Sequence, residues 1–284
     1  NDSSLVADIS NTADSSASAW MGATGLSFGA VIGMNKVASA ANAYVDFTSA
    51  GTLTADGGLR ITADDSAAIS ATVNLAATSE TSNTSPFSNS DSIGASGLVS
   101  LNDVRGGATA FLNNTDLASI SGDVTVQATE ASTLDAQLAS ETASSGGSKF
   151  GDGTSLAASG LIATNTVLNA TQAYITNSTV PANNVTVDAQ NTATLTADVA
   201  NATTSGDTAI GVTLAFNTVG WQPQNIFFNA VDALLGDDIF GDADSDVQAY
   251  IVDSTVTATG LVDVSATNDS SLVADISNTA DSSA

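Results

Sequence analysis

Apolar and polar residues alternate along most of this chain. The clearest alternating stretches are 59–63 (LRITA), 124–128 (VTVQA), 185–189 (VTVDA) and 262–266 (VDVSA). A second alternating stretch opens six positions after the closing Ala of each, at 69–73, 134–138, 195–199 and 272–276. A period of two is typical of β-strands, and the intervening Gly, Asn, Asp and Ser residues are typical of turns. The pattern therefore predicts an all-β protein built from short strands.

The chain also repeats itself without change at its two ends. The sequence of residues 1–17 (NDSSLVADISNTADSSA) recurs at 268–284. An identity of this length indicates one full unit of a tandem array, residues 1–267, followed by a short overlap. An artificial duplication of one end is the alternative.

Four shorter copies lie within that unit, and each contains an Asn followed two positions later by Val. The anchoring residues are Asn35, Asn102, Asn165 and Asn217. An aromatic residue follows the first three anchors at the same short interval, at Tyr44, Phe111 and Tyr174, whereas Tyr250 follows the fourth at a much longer one. The fourth copy therefore carries an insertion, at about 220–243. The chain divides into the end of a preceding repeat (1–17) and repeats A (18–91), B (92–154), C (155–208) and D (209–284).

Three all-β architectures could accommodate such strands: a parallel β-helix, a chain of sandwich domains and a membrane barrel. A barrel needs an apolar outward band, and the outward positions here are Thr, Ser, Asp and Gln. A copy of about 60 residues is short for a sandwich domain and lacks its buried Trp. We therefore expect a parallel β-helix (β-solenoid) built from four internal repeats, with about three rungs of about 20 residues in each copy.

The repeated polar and aromatic residues have structural roles in this interpretation. Asn35, Asn102, Asn165 and Asn217 share the phase of inward apolar neighbours, and stacked Asn side chains can satisfy one another as a ladder. We expect Tyr44, Phe111, Tyr174 and Tyr250 to pack in the core or at turns.

The additional segment predicts one short helical insertion. Phe227, Ala230, Val231 and Leu234 share one helical face, with Asn225 as N-cap and Gly236 just past the end. This helix would lie across the side or groove of the solenoid, either as packing or as a binding face.

Acidic residues follow the predicted helix and suggest a metal site. They are Asp237, Asp238, Asp242, Asp244 and Asp246. The D-x-D-x-D spacing matches the first ligand positions of a calcium loop, which makes Ca²⁺ the candidate cofactor. Val247 stands where such a loop requires Gly, so a solvated acidic loop is the alternative.

Composition excludes several classes of function. The 284 residues include 4 Lys+Arg and 30 Asp+Glu, for a net charge of −26, so we expect no nucleic-acid partner. The absence of His and Cys excludes the usual zinc sites, Ser-His-Asp centres and disulfides. The sequence contains no apolar run long enough to predict a membrane-spanning helix. The four basic residues occupy unrelated positions of the repeat, so we expect no enzyme of the polysaccharide-lyase type.

The repeated motif, ASGL, N-x-V, A-Y and V-T-V-x-A in an acidic chain without Cys, resembles the repeat regions of giant bacterial surface proteins of the adhesin-like or haemagglutinin-like kind. The resemblance implies an extracellular structural repeat that forms a stalk, fibre or sheath at the cell surface. Its partners would be neighbouring copies of itself, in tandem and laterally. The alternative function is an adhesin module that binds carbohydrate or a host or abiotic surface through the insertion in repeat D.

Overall fold

Long β-strands account for the regular structure of this protein. The computed structural model describes residues 1–83, 85, 87–118, 121–146, 153–220 and 245–283, and no helix occurs among them. The strands in these ranges are β1 (Asp2–Ala19), β2 (Ala23–Ala38), β3 (Ala41–Thr54), β4 (Leu59–Asn83), β5 (Ser90–Ala118), β6 (Val124–Ser145), β7 (Ser155–Thr176), β8 (Thr179–Ala182), β9 (Val185–Ser205), β10 (Thr208–Val219), β11 (Asp246–Val252), β12 (Thr255–Ala258) and β13 (Val262–Ser282).

The strands form two parallel sheets. Sheet 1 has the order β1-β4-β6-β9-β13. Sheet 2 has the order β10-β7-β5-β8-β12, with β2 and β3 paired to β5 and β11 paired to β7. The chain alternates between the sheets, so that each copy of the repeat passes once through sheet 2 and once through sheet 1. The expected all-β class with parallel strands is confirmed.

Equivalent residues of successive copies face each other in both sheets. Asn35 pairs with Asn102, Asn102 with Asn165, and Asn165 with Asn217. One copy therefore advances the sheets by one strand, and the expectation of three short rungs in each copy is wrong. The interval between the alternating stretches is even, so Ala63 and Ile69 lie on the same face of one long strand, β4. The polar residues between such stretches resemble turns in the sequence, yet they continue the strand.

The hydrophobic core lies between the two sheets. Leu98 and Leu161 of sheet 2 are fully buried and pack against Val73 and Val199 of sheet 1. A second cluster joins Leu134 and other residues of sheet 1 to Val104 and Val167 of sheet 2. Full burial of an aliphatic side chain of this size stabilises a fold by about 1.5–3 kcal/mol. Parallel register places like side chains next to each other, so the same layer of packing recurs at each strand.

The insertion in the fourth copy interrupts sheet 2 without shifting its register. Val219 pairs with Val167, and Asp246 pairs with Ala170. The fourth copy thus has positions 220–245 where β7 has only Leu168 and Asn169. The helix predicted for this segment falls on residues 221–244, outside the described part of the chain. Among the described residues, no helix long and apolar enough to cross a membrane is found.

Candidate functional site

The four repeated asparagines form a column inside the protein, which we call the asparagine column. Asn35 Nδ2 donates to Asn102 Oδ1 at 3.0 Å, Asn102 Nδ2 to Asn165 Oδ1 at 2.8 Å, and Asn165 Nδ2 to Asn217 Oδ1 at 2.8 Å. Asn165 is fully buried, and its Nδ2 also donates to the Thr196 carbonyl oxygen at 2.8 Å. A carboxamide suits this position because it carries both a donor and an acceptor, and parallel strands about 4.8 Å apart bring each amide within reach of the next.

The four repeated aromatic residues form a second column, the aromatic column, on the outward face of sheet 2. Ring centroids lie 4.8 Å apart for Tyr44 and Phe111, 4.9 Å for Phe111 and Tyr174, and 4.9 Å for Tyr174 and Tyr250. The rings deviate from parallel by no more than 6°. Burial against this stack raises the pKa of Tyr174, with further contributions from the nearby Tyr250 and Asp46.

These rings lie within strands and on the outward face of the sheet, whereas the sequence led us to expect them in the core or at turns. Tyr44 is 60% exposed, whereas its neighbours Ala43 and Val45 pack against the core cluster. The inward positions are thus the aliphatic residues on either side of each ring, an Ala before it and a Val, Leu or Ile after it. The alternation in 41–45 could have predicted the outward position of Tyr44, since Ala41, Ala43 and Val45 form the apolar face of the strand and Tyr44 lies on the opposite face.

Sheet 1 carries two buried acidic residues side by side, which we call the carboxylate pair. Asp65 of β4 is paired in register with Glu130 of β6, and their exposures are only 2% and 0%. Ser39 Oγ donates to Asp65 Oδ2 at 2.8 Å, and Ser132 Oγ donates to Glu130 Oε1 at 3.0 Å. Burial raises the pKa of Glu130 to about 7; the hydrogen bond from Ser132 opposes the shift, and the charge and hydrogen bond of Asp65 add to it.

Sequence reasoning missed the carboxylate pair, although a signal was present. Asp65 continues the inward phase of Ala63 and Ala67, and Glu130 continues that of Ala128 and Ser132. A carboxylate in the inward phase of an alternating strand indicates a buried charge. The interval resembles a turn in the sequence, however, and an acidic residue in a turn is expected to face solvent.

Asparagine side chains extend the polar cluster on both sheets. Asn169 of β7 reaches across from sheet 2, and its Nδ2 donates to Glu130 Oε1 at 2.8 Å and to Ser132 Oγ at 2.9 Å. Asn191 of β9 is paired in register with Glu130, and its Nδ2 donates to Ser245 Oγ at 3.2 Å. Both asparagines are 1% exposed.

The acidic residues predicted to hold a metal are mostly outside the described part of the chain. Asp237, Asp238, Asp242 and Asp244 fall in 221–244. Asp246 opens β11, where its Oδ2 accepts a hydrogen bond from Gln248 Nε2. Within the described ranges there is no group of three or more Asp or Glu side chains arranged to hold a metal ion.

Two of the basic residues lie near each other on sheet 2. Arg105 Nε lies 2.9 Å from Asp103 Oδ2, and Lys36 Nζ lies 3.8 Å from the same oxygen. Arg60 NH2 instead donates to Gln127 Oε1 on the neighbouring strand of sheet 1. The contacts of Lys36 and Arg60 join adjacent copies of the repeat, as the two columns do.

Comparison of the chain with family models, with curated proteins and with solved structures gave no match.

Proposed function

We propose that this chain is a structural repeat unit of a giant secreted bacterial surface protein, a parallel β-solenoid that forms an elongated stalk, fibre or sheath at the cell surface. Its role is mechanical: stacked copies supply length and stiffness. The repeats need no catalytic centre or cofactor for this function.

The pairing of the duplicated sequence carries the proposal. Residues 2–15 lie in β1, and the identical residues 269–282 lie in β13. In β1 this sequence pairs with β4, whereas in β13 it pairs with β9. One strand of a longer protein could make both pairings, one along each edge. Sheet 1 would then continue from β9 of one unit through this shared strand to β4 of the next unit.

Side-chain register supports the same continuation. Leu5 pairs with Ile69, and its counterpart Leu272 pairs with Leu195. The shared strand would thus complete an aliphatic column of Leu195, Leu5 or Leu272, Ile69 and Leu134. Leu272 is 46% exposed, because among the described residues β13 has a strand neighbour, β9, on one side only. A following unit would bury it.

Exposed apolar residues support self-association along the sides as well. The outward face of β2 exposes four large apolar side chains to more than half of their full extent: Leu26, Phe28, Ile32 and Met34. Contiguous exposed apolar residues of this kind mark contact surfaces in soluble proteins. The proposal assigns this face to contacts between neighbouring arrays.

A two-unit protein tests the proposal. In it, residue 284 of the first unit continues directly into residue 18 of the second, so that the shared sequence occurs once between the units. Since each unit adds four strands to each sheet, the particle should lengthen by about 19 Å with an unchanged cross-section in small-angle X-ray scattering. Scattering from two independently moving bodies would contradict the proposal. A matched control inserts a flexible Gly/Ser linker between the units and should give that second profile.

The alternative function is an adhesin module that binds carbohydrate or a surface through the insertion in repeat D. One observation favours an appended segment at this place: β10 ends at Val219 and β11 begins at Asp246 in the same sheet without a change of register. A variant that joins Gly220 directly to Ser245 tests this function. If binding to a glycan array or to surfaces is present in the parent chain and lost in the variant, the adhesin function is supported; if neither chain binds, the structural function stands alone.

A further inference from the structure

The carboxylate pair poses an electrostatic problem in the interior. Asp65 and Glu130 lie on adjacent strands at the same register, so their backbones are about 4.8 Å apart. Both side chains are almost completely removed from solvent. Burying one carboxylate is costly, and a second carboxylate beside it adds like-charge repulsion at low dielectric. Some positive charge must compensate for this when both groups are ionised.

The unpaired oxygen atoms around the carboxylate pair indicate the source of the compensating positive charge. Four buried oxygen atoms in this cluster have no hydrogen-bond partner: Asp65 Oδ1, Glu130 Oε2, Asn169 Oδ1 and Asn191 Oδ1. The other oxygen of each carboxylate is already occupied, by Ser39 at Asp65 and by Ser132 and Asn169 at Glu130. Buried polar atoms are nearly always satisfied, so four unsatisfied acceptors in one cluster indicate a missing donor or cation.

The ligand chemistry selects the cation. All four atoms are carboxylate or carboxamide oxygens, the donors preferred by calcium. Two carboxylates balance the charge of a divalent ion. Magnesium demands octahedral geometry and retains several waters, which a buried position between two sheets does not favour. We propose that Asp65, Glu130, Asn169 and Asn191 bind one calcium ion between the two sheets.

Glycine on the facing strand keeps the space beside Asp65 open. Gly106 of β5 is paired in register with Asn169 of the next copy. A Cβ atom on Gly106 would lie 3.0 Å from Asp65 Oδ2 and 2.9 Å from the Ser39 carbonyl oxygen. The absence of a side chain there lets the Asp65 carboxylate occupy the interior.

The site uses none of the acidic residues of the insertion and does not depend on the proposed stalk function. The column of sheet 1 that contains the pair reads Asp65, Glu130, Asn191 and Asn268 in successive copies. Only repeats A and B supply acids, so one ion would bind in each tandem unit. It would link β4, β6 and β9 of sheet 1 to β7 of sheet 2.

Calcium titration of the whole chain tests the proposal. After removal of metal with EDTA at about pH 8, calcium should raise the melting temperature at constant ionic strength by about 5–10 °C once it exceeds the dissociation constant a hundredfold. Equilibrium dialysis should detect bound calcium in the parent chain. Glu130→Gln should abolish both this binding and the calcium-dependent rise in melting temperature. The matched control is Glu141→Gln, the same change at an exposed position of the same strand, which should keep both.

Other results would overturn the proposal. If Glu130→Gln responds to calcium as the parent does, the ion binds elsewhere. If calcium does no more than sodium chloride of equal ionic strength, a proton or water alone satisfies the pair. Should Glu130→Gln fail to fold by circular dichroism, Asp65→Asn gives the same comparison. A variant with Asp242, Asp244 and Asp246 all changed to Asn should retain the bound ion; its loss there would place calcium in the insertion and refute the buried site.

Discussion

Tyr174 and Tyr250 stack with their ring centroids 4.9 Å apart and their planes 1° from parallel, although the insertion of repeat D separates them in the chain. Phe111 and Tyr174, which have no such insertion between them, stack in the same way. The insertion therefore leaves the strand pairing and ring stacking on its far side unchanged.

Deletion of residues 221–244 should accordingly preserve the fold. Gly220 adopts a φ of +63°, and a Cβ on it would lie 3.0 Å from the Ser245 amide nitrogen, so a direct bond between these residues spans a short gap. We expect an unchanged far-UV circular dichroism spectrum and a melting temperature within a few degrees of the parent. Loss of the strand signal would show that the insertion is part of the core.

Interruption of the asparagine column should cost more at its middle than at its end. Asn165→Ala removes a donor to Asn217 and an acceptor for Asn102, and each buried group left unpaired costs about 1–3 kcal/mol. We expect a loss of about 2–5 kcal/mol in the free energy of unfolding, measured by urea denaturation. Asn35→Ala, at the end of the column, breaks one bond of the column and should cost about 1–2 kcal/mol. Equal costs would show that the column does not act as a linked network.

Truncation of a core leucine should depend on its depth in the stack. Leu134 is fully buried between Ile69 and Leu195, so Leu134→Ala should lower the free energy of unfolding by about 2–5 kcal/mol. Leu5 occupies the same column on the edge strand β1 and is 37% exposed. Leu5→Ala should therefore cost clearly less in the same urea experiment. A comparable loss at both positions would contradict the assigned core.

Glu130 should make the stability of the metal-free chain fall as the pH rises. Its pKa is about 7 in the folded protein and near the ordinary 4.5 when unfolded, so the folded state holds a proton that the unfolded state has lost between these values. This contribution is fully present below about pH 4.5 and is lost as the pH rises through 7. Asp65 faces Glu130 in sheet 1, and Asn169 and Ser132 are its uncharged neighbours.

Melting temperatures of the parent and of Glu130→Gln measure this effect without added calcium. The melting temperature of Glu130→Gln should rise relative to that of the parent as the pH increases from about 5 to about 8. Glu141→Gln should follow the parent throughout, because its side chain is exposed. A constant difference between parent and Glu130→Gln would show that Glu130 is ionised across the whole range.

The sequence predicted much of this architecture, and its failures have physical causes. Alternation and the equal spacing of Asn102 and Asn165 from their aromatic residues identified strands in parallel register. Strand length was misjudged because Ser66 and its neighbours resemble a turn locally, whereas stacking on the next copy keeps them extended. A local sequence pattern does not show which strand of the next copy will lie beside these residues. The pairing of Asp65 with Glu130 was missed for the same reason, since the two residues become neighbours only when the copies are aligned.

The asparagine column also gives the molecule a chemical direction. Each amide donates toward the following copy, from Asn35 to Asn217, so the side-chain oxygens all face the opposite way. One end of the column presents an oxygen, and at the other end Asn217 Nδ2 donates to the carbonyl oxygens of Leu195 and Val273. Two molecules that met with their Asn35 ends together would bring oxygen against oxygen. Head-to-head joining of two copies would therefore be disfavoured, so an array of the kind proposed above would keep a single polarity along its length.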